Sequence, residues 1–338
     1  MNTKQIVFTA INTAELLDVE IPELEDDSVV IETAITTISS GTERANIIGD
    51  PSVTPKKGAE VKFPRTAGYN CAGIVTAVGP AVTSVKVGDR VVAFWSKHKA
   101  INVMPEEKVI KLPDDVSFQD AAISFIASFP MAAIRKTRLE MGESAMVMGL
   151  GILGMIAIKL LRVAGAVPVR AVDPNPARRQ IALENGADYA FDPFDESFAE
   201  NVKSVTGGGV NVAIEVTGVG AGFNGALDCM AKFGRVALLG CTRNSDFTVD
   251  YYRKIHAPGI TVIGAHTIAR PESESHPGWF THRDDITSIL KLCSGGRLCL
   301  GDLVTETHSP AECGEVFERL VNDRNFPIGV QFDWRMLK

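Results

Sequence analysis

Paired cysteines are missing from this chain of 338 residues, and so are the sites that depend on them. Its six cysteines stand at positions 71, 229, 241, 293, 299 and 313, with no Cys-x-x-Cys spacing among them. Neither a disulfide framework nor a zinc ribbon is indicated. We expect each cysteine to be a small buried apolar residue.

Long apolar runs and an excess of basic residues are also missing. The longest charge-free apolar stretches, Ala121 to Ile134 and Ala145 to Ile158, span 14 residues each, short of the roughly 18 that a membrane span needs. The N-terminal residues MNTKQIVFTAINTAELLDVE show neither an apolar export segment nor a cleavage site. The formal net charge is −7, without a basic stripe. We therefore expect a cytoplasmic protein with no membrane or nucleic-acid partner.

The composition is that of a globular protein, with 45% apolar and 22% charged residues, and the length suits two domains. Between Lys4 and Val109, short β-rich runs alternate with Gly, Pro and charged turns, which predicts a mostly antiparallel, barrel-like β unit. After Gly142, short apolar strands alternate with amphipathic helices, which predicts a parallel sheet. Beyond His266 the regularity stops, and we expect this tail to pack on the N-terminal unit.

Six strand candidates follow Gly142, and six strands with helices between most of them match a doubly wound α/β dinucleotide fold. The candidates are Ala145–Met148, Val167–Val172, Tyr189–Phe191, Val210–Glu215, Arg235–Leu239 and Ile260–Ile263.

A Gly-x-Gly-x-x-Gly motif joins the first of these strands to the next helix. It reads Gly149-Leu150-Gly151-Ile152-Leu153-Gly154. The first glycine permits the tight turn, the second the close approach of backbone to a pyrophosphate, and the third the packing of helix on strand. The pyrophosphate would lie at the positive end of the helix. We call residues 149–154 the phosphate-binding turn.

An acidic residue follows the next strand, at the distance that nucleotide binding requires. Asp173 lies 24 residues after Gly149, where a carboxylate accepts the ribose hydroxyls. Because a carboxylate repels the extra phosphate of NADP, NAD is favoured. Arg178 and Arg179 are close enough in sequence for a guanidinium to hold a 2′-phosphate, which leaves NADP as the alternative.

Two later strand ends fit the same ligand. Ligands of open α/β sheets lie across the carboxyl ends of the strands, where we expect Thr217 and Gly218 on one strand, and Cys241 and Thr242 on the next. Ordinary loop chemistry explains each of these four residues equally well.

The whole pattern resembles the medium-chain dehydrogenase/reductase superfamily. The resemblance rests on the β unit followed by the dinucleotide unit, on AGYNCAGIVTAVG, on Val87-Gly88-Asp89-Arg90-Val91 and on Pro105 to Val109 ahead of Lys111-Leu112-Pro113. It implies a GroES-like β-barrel catalytic domain over residues 1–128, a Rossmann NAD-binding domain over 129–267 and a return to the catalytic domain over 268–338. It also implies, by analogy, a homodimer or homotetramer that pairs through the strand near Ile260.

The metal ligands of the superfamily's zinc enzymes are replaced here. Where those enzymes have Cys-Gly-Thr/Ser-Asp, this chain has Ser40-Gly41-Thr42-Glu43, and where they have Gly-His-Glu it has Gly68-Tyr69-Asn70. Ser, Tyr and Asn are poor zinc ligands. We therefore expect no metal. The element from Ser39 to Arg44 is similar to the Ser-Gly-Thr-Glu version of zinc-lacking branches, including bacteriochlorophyllide dehydrogenase-like proteins.

Without zinc, side chains must bind the hydroxyl and take its proton. By resemblance Thr42 is the proton-relay hydroxyl, and Tyr69 replaces a metal ligand as acid or base. A phenol titrates near 10, so a base role needs a nearby cation. Lys97 and His98 are the candidates for that cation or for the base itself.

The remaining candidates are substrate contacts. We expect Glu43 and Arg44 to form an orienting pair or to bind a polar substrate, Asn70 to donate to a substrate oxygen, and Trp279 to line the substrate cleft or an interface. Ser40, in the place of a metal ligand, completes the set of candidate substrate-binding residues. A structural role is at least as well supported for Glu43, Arg44 and Asn70.

These observations favour a zinc-independent, NAD-dependent oxidoreductase that interconverts a secondary alcohol and a ketone on a sugar, cyclitol or other polyhydroxylated compound. Two alternatives remain open. One is an NAD(P)H-dependent reductase of quinones or enones, and the other is a non-catalytic NAD-binding sensor.

Overall fold

The computed structural model describes residues 1–54, 59–241 and 245–337, and the chain packs as two compact units. Unit 1 combines Met1–Ile126 with Thr287–Lys338, and unit 2 is Ala127–Ile286. The sequence placed the boundaries after residues 128 and 267. Residues 268–286 belong instead to unit 2, because Asp285 is ion-paired there with both Arg135 and Arg270.

The N-terminal part of unit 1 consists mainly of antiparallel strands. These are β1 (Asn2–Ala10), β2 (Thr13–Glu20), β3 (Ser28–Thr37), β4 (Arg65–Thr66), β5 (Asn70–Val78), β6 (Arg90–Phe94), β7 (Ile101–Pro105) and β8 (Val109–Lys111). Helix α1 (Ser40–Ile47) follows β3, and α2 (Phe118–Thr137) runs from unit 1 into unit 2. The strands β2-β1-β4 form one sheet, and β3-β5-β6-β8, with β7 on β3, belong to another. Buried β-branched residues such as Val29, Ile31 and Val91 fill the core of the second sheet.

Unit 2 alternates strands and helices. These are β9 (Ala145–Met148), α3 (Ile152–Val163), β10 (Val169–Val172), α4 (Pro176–Glu184), β11 (Tyr189–Phe191), α5 (Phe198–Ser204), β12 (Val210–Glu215), α6 (Gly220–Asp228), β13 (Met230–Leu238) and β14 (Thr261–Gly264). Six parallel strands run in the order β11-β10-β9-β12-β13-β14, so the predicted doubly wound α/β fold is confirmed. The strand β13 begins at Met230 rather than at Arg235.

The C-terminal elements return to unit 1 after α7 (His282–Ser294). They are β15 (Val304–His308), α8 (Cys313–Asn322) and β16 (Gly329–Asp333). The strand β16 pairs antiparallel with β3 and parallel with β15. The Phe317 ring packs edge-on against Phe8, 4.9 Å between centroids, so α8 shares a core with β1. None of the helices in the described ranges is long and apolar enough to cross a membrane.

Candidate active site

The phosphate-binding turn follows β9 directly, and each glycine has a distinct structural reason. Gly149 has φ +100°, a backbone conformation that residues other than glycine rarely adopt. A Cβ on Gly154 would lie 1.9 Å from the Gly149 carbonyl oxygen, so helix and turn touch there. A Cβ on Gly151 would meet nothing within 4 Å. The turn therefore has no room for a side chain at Gly154, whereas the space beside Gly151 is open.

The open side of the turn leads into the start of α3. Gly151 is the N-cap of this twelve-residue helix and has no side chain to occupy the first amides. Ile152 is buried and Leu153 half-buried, which anchors the first helical turn to the sheet. The residues present fit a nucleotide pyrophosphate, since a helix N-terminus with an uncovered glycine backbone binds anions.

Asp173 lies where β10 ends, and its carboxylate is tied to the turn. Oδ2 accepts from the Leu150 amide at 2.9 Å, and Oδ1 accepts from the Asn175 amide at 2.8 Å. A carboxylate accepts about four hydrogen bonds, so each oxygen keeps capacity for a ribose hydroxyl. Arg179 donates to the carbonyls of Asp173 and Pro174 and pairs with Asp192, while the half-exposed Arg178 is the cation left for a 2′-phosphate.

The loop after β12 adjoins the turn. A Cβ on Gly149 would lie 3.0 Å from Thr217 Cγ2, and one on Gly218 would lie 2.5 Å from the exposed Cys241's carbonyl oxygen. The structure thus brings Thr217, Gly218 and Cys241 beside one another, and Thr242 lies outside the described residues. Buried Glu215 accepts from the amides of Thr217 and Gly218, and burial raises its pKa. Its only signal in the sequence was an acid at the end of an apolar strand.

Unit 1 contains a pocket of about 380 Å³. Its lining combines residues of β1, α1, the segment from β4 to the turn before β5, and the loop after β6. The polar lining residues are Thr42, Glu43, Asn46, Arg65, Thr66, Tyr69 and Lys97. Four of these were sequence candidates, whereas Asn46, Arg65 and Thr66 were missed.

A buried hydrogen bond between two side chains forms the floor of this region. His98 Nε2 lies 3.0 Å from Glu43 Oε2, with the two side chains 0% and 3% exposed, and Glu43 Oε1 accepts from the Ser39 amide. A Cβ on Gly68 would lie 2.7 Å from the His98 ring, so this glycine admits the imidazole. His98 does not line the pocket; it fixes Glu43, which does.

Tyr69 lines the pocket, but its environment opposes a phenolate. Burial raises the pKa of Tyr69, and the charge of Glu43 adds to that shift, while hydrogen bonding with Ser39 and Thr42 only partly offsets it. The phenol therefore stays protonated at neutral pH. It is suited to donate a hydrogen bond and not to act as a base.

Lys97 is the basic side chain of the pocket whose pKa is lowered, which is the direction that a general base requires. Burial lowers the pKa of its ammonium, an effect that the charge of Glu43 reduces. The Lys97 amide donates to Asn102 Oδ1 at 3.1 Å, and the Asn102 amide group donates to the carbonyls of Lys97 and Lys99. Asn102, on β7, thus holds the loop that presents Lys97, a role that no motif revealed.

An aromatic wall adjoins these polar groups. Trp95 also lines the pocket, and its ring lies 6.0 Å from that of Tyr69 and 5.0 Å from that of Phe125. Trp95 has φ +60°, a strained conformation for a bulky residue. Such strain is concentrated at functional sites.

The other predicted substrate contacts are engaged elsewhere. Arg44 does not pair with Glu43, because adjacent helical residues point apart, and it donates to the Val321 carbonyl instead. Asn70 is fully buried and exchanges two hydrogen bonds with the backbone of Thr37, which gives it a structural role. Ser40 begins α1 and is not among the lining residues. Trp279 belongs to unit 2, where the Lys136 ammonium lies 4.6 Å from its ring centroid.

The residues of the pocket do not fit a catalytic zinc. Glu43 is its sole side chain of the usual ligand types, and both Glu43 oxygens are already used by His98 and the Ser39 amide. Across the described ranges, no three His, Cys, Asp or Glu residues come together as a metal site.

Both parts of the chain match known families. Residues 26–114 match the alcohol dehydrogenase GroES-like domain, and residues 153–276 match zinc-binding dehydrogenase. The chain therefore belongs to the medium-chain dehydrogenase/reductase superfamily, as the sequence motifs predicted. The second of these families is named for zinc binding, whereas the pocket described above lacks a set of zinc ligands.

Individual relatives point to the same superfamily. The chain is 28% identical to D-guloside 3-dehydrogenase of Escherichia coli (strain K12), over 78% of this chain and 77% of the relative. It is 29% identical to (R,R)-butanediol dehydrogenase of Bacillus subtilis (strain 168), over 72% of this chain and 73% of the relative. An alcohol dehydrogenase from E. coli CFT073, solved with NADH, has the same fold with a TM-score of 0.82 at 17% identity, covering 98% of this chain and 99% of its own.

Proposed function

We propose that this chain is an NAD-dependent dehydrogenase that interconverts a secondary alcohol and a ketone on a polyhydroxylated compound without zinc. The observation that carries the proposal is the convergence of Thr42, Tyr69 and Lys97 on one pocket. The names of relatives that act on a guloside and on butanediol support an alcohol substrate.

The roles follow from the charge state of each group. Lys97, as a neutral amine, accepts the proton of the substrate hydroxyl, and Tyr69 donates a hydrogen bond to the same oxygen. Thr42 positions that oxygen or relays the proton to solvent. The nicotinamide supplies the acceptor for the carbinol hydride, so alcohol and NAD⁺ become ketone, NADH and one proton.

The cofactor assignment rests on the residues of unit 2. The phosphate-binding turn would hold the pyrophosphate, Asp173 the ribose, and Thr217, Gly218 and Cys241 the remainder of the dinucleotide. NAD is preferred over NADP because Asp173 places a negative charge where a 2′-phosphate would lie.

The pH dependence distinguishes Lys97 from Tyr69 as the base. Burial lowers the pKa of Lys97, so the neutral amine forms at lower pH than in an ordinary lysine. Alcohol oxidation should therefore rise with pH and level off below the usual lysine pKa. Lys97→Met should abolish this rise of activity with pH and lower kcat roughly 100-fold or more. Lys99→Met is the matched control, because Lys99 donates to the Glu20 carbonyl and does not line the pocket.

The deciding experiment treats the protein with chelator and follows NADH formation with NAD, and separately NADP, on sugars, cyclitols and simple secondary alcohols. We expect NAD-dependent oxidation of a polyol that survives metal removal. Activity lost with the metal and restored by zinc would contradict zinc independence. Reduction of enones or quinones without alcohol oxidation would favour a reductase. Binding of NADH without any turnover would favour a sensor.

We also propose a homodimer or homotetramer. The strand β14 is the edge of the six-stranded sheet, and Thr261 and Val262 on it are exposed. Light scattering after size exclusion gives the mass, and a monomer would contradict this proposal.

A further inference from the structure

The pocket lining includes an arginine, Arg65, that has no carboxylate partner in the part of the chain that the structure describes. Arg65 Nε and Nη2 donate to Asn46 Oδ1 at 3.2 and 2.7 Å. The amide oxygen is neutral, so it orients the guanidinium and leaves its charge intact. No carboxylate lies within ion-pair distance of Arg65 among residues 1–54, 59–241 and 245–337. Arginine has five N–H donors, so three remain for another acceptor.

Buried and half-buried arginines of this protein fall into two groups, since Arg90 and Arg170 donate to backbone carbonyls while others pair with an acid. Arg135 and Arg270 share Asp285, and Arg235 pairs with Glu143. Each of those cations has an acidic partner within the fold. Arg65 has a neutral partner and a place in the pocket lining instead.

The one acidic side chain among the lining residues is not paired with Arg65. This side chain is Glu43, and it is held at the floor by His98 and the Ser39 amide. Lys97 is the second basic side chain. An anion that enters this pocket therefore meets Arg65 without displacing an internal ion pair. A planar guanidinium matches the two oxygens of a carboxylate or a phosphate group.

We propose that the substrate is a polyhydroxylated compound with an anionic group, a carboxylate or a phosphate, and that Arg65 binds this group. The proposal rests on the proposed function, because it assigns the substrate class of the same pocket. Trp95 offers an aromatic surface for the carbon-bound hydrogens of such a compound, and Thr42, Tyr69 and Lys97 serve the hydroxyl that is oxidised. Arg65 is a specificity residue in this assignment.

A purely structural Arg65 is the competing explanation. Arg65 could serve only to join β4 to α1 through Asn46. A structural residue would affect neutral and anionic ligands equally, whereas a binding residue discriminates between them.

The test measures equilibrium binding by calorimetry, with sorbitol, gluconate and sorbitol 6-phosphate as matched probes. We expect the wild-type protein to bind one of the two anionic probes roughly tenfold or more tightly than sorbitol. Gluconate and sorbitol 6-phosphate distinguish a carboxylate from a phosphate site. Arg65→Gln should abolish the preference, and Arg65→Lys should retain part of it.

The control is Arg44→Gln, which removes an exposed arginine on α1 that does not line the pocket, and it should leave the preference unchanged. Equal binding of sorbitol and both anions by the wild type would overturn the proposal. So would an equal loss for all three probes in Arg65→Gln with its melting temperature unchanged. Binding does not require turnover, so oxidation of neutral polyols without any anion preference would overturn this inference and leave the proposed function standing.

Discussion

The phosphate-binding turn of unit 2 and the pocket of unit 1 are built in opposite ways. The turn is one contiguous run of six residues whose functional groups are backbone amides. The pocket takes side chains from four separate segments, which meet because β1, β4, β5 and β6 bring them together. A contiguous backbone site can be predicted from the positions of its glycines in the sequence. The composition of a side-chain site cannot, because it depends on what each residue contacts in the folded chain.

The largest expected effect concerns Gly154, where the turn has no room for a side chain. Gly154→Val would drive a side chain into the Gly149 carbonyl, and we expect NADH binding to be abolished. Gly151→Ala is the matched control for folding, because its methyl group would meet no protein atom within 4 Å. It should melt like the wild type yet bind NADH at least about tenfold more weakly, because the methyl group lies where the pyrophosphate approaches. Unchanged NADH fluorescence titrations for Gly151→Ala would contradict the assignment of the turn.

The second effect tests the floor of the pocket. His98→Leu would leave the buried Glu43 carboxylate without its hydrogen-bond partner on Oε2, which costs about 1.5–3 kcal/mol of unfolding free energy. Urea denaturation measures this loss. His276→Leu, at an exposed histidine, should change stability by less than about 0.5 kcal/mol. A His98→Leu protein as stable as the wild type would refute the structural role.

A smaller effect separates structure from substrate binding at Asn70. Asn70→Leu removes both hydrogen bonds to the Thr37 backbone, and we expect a loss of about 1–3 kcal/mol. The KM of the folded enzyme should stay within about twofold of the wild type, because Asn70 is engaged away from the pocket lining. A raised KM at unchanged stability would restore the prediction of a substrate contact.

The smallest effect concerns the choice of cofactor. Asp173→Asn removes the charge that opposes a 2′-phosphate, so the preference for NAD over NADP should shrink by about tenfold. Arg178→Gln in the same background should weaken NADP and leave NAD unaffected. Ratios of kcat/KM for the two cofactors report both changes, and an unaltered ratio in Asp173→Asn would show that Asp173 does not select the cofactor.

Much of the fold was predictable because its signals are local. The alternation of apolar strands and helices after Gly142 predicted six parallel strands, and all six are present within the described residues. Unit 2 ends at Ile286 and not at residue 267, because Asp285 pairs with Arg270 and with Arg135, about 150 residues earlier in the sequence, and such a contact has no periodic signal.

The candidate site was predictable in part. Thr42 and Tyr69 were identified from the resemblance to zinc enzymes and Lys97 from its position just beyond a predicted strand, and the structure gathers all three around one pocket. Arg65 was missed because its partner Asn46 is distant in sequence, and Asn102 was missed because its hydrogen bonds to the backbone of a nearby loop follow no motif. Arg44 and Asn70 stayed open between substrate binding and a structural role, because their backbone hydrogen-bond partners could not be known in advance.

The sequence by itself determined the class of fold, the family and the turn for a nucleotide, because periodicity and glycine positions act on the nearest few residues. Only the tertiary structure decided the surroundings of the ionisable groups in the pocket. Burial raises the pKa of Tyr69 and lowers the pKa of Lys97, and the hydrogen bond from His98 occupies one oxygen of the Glu43 carboxylate. Both effects depend on desolvation and on contacts across β1, α1 and the loop after β6, which exist only once the chain has folded.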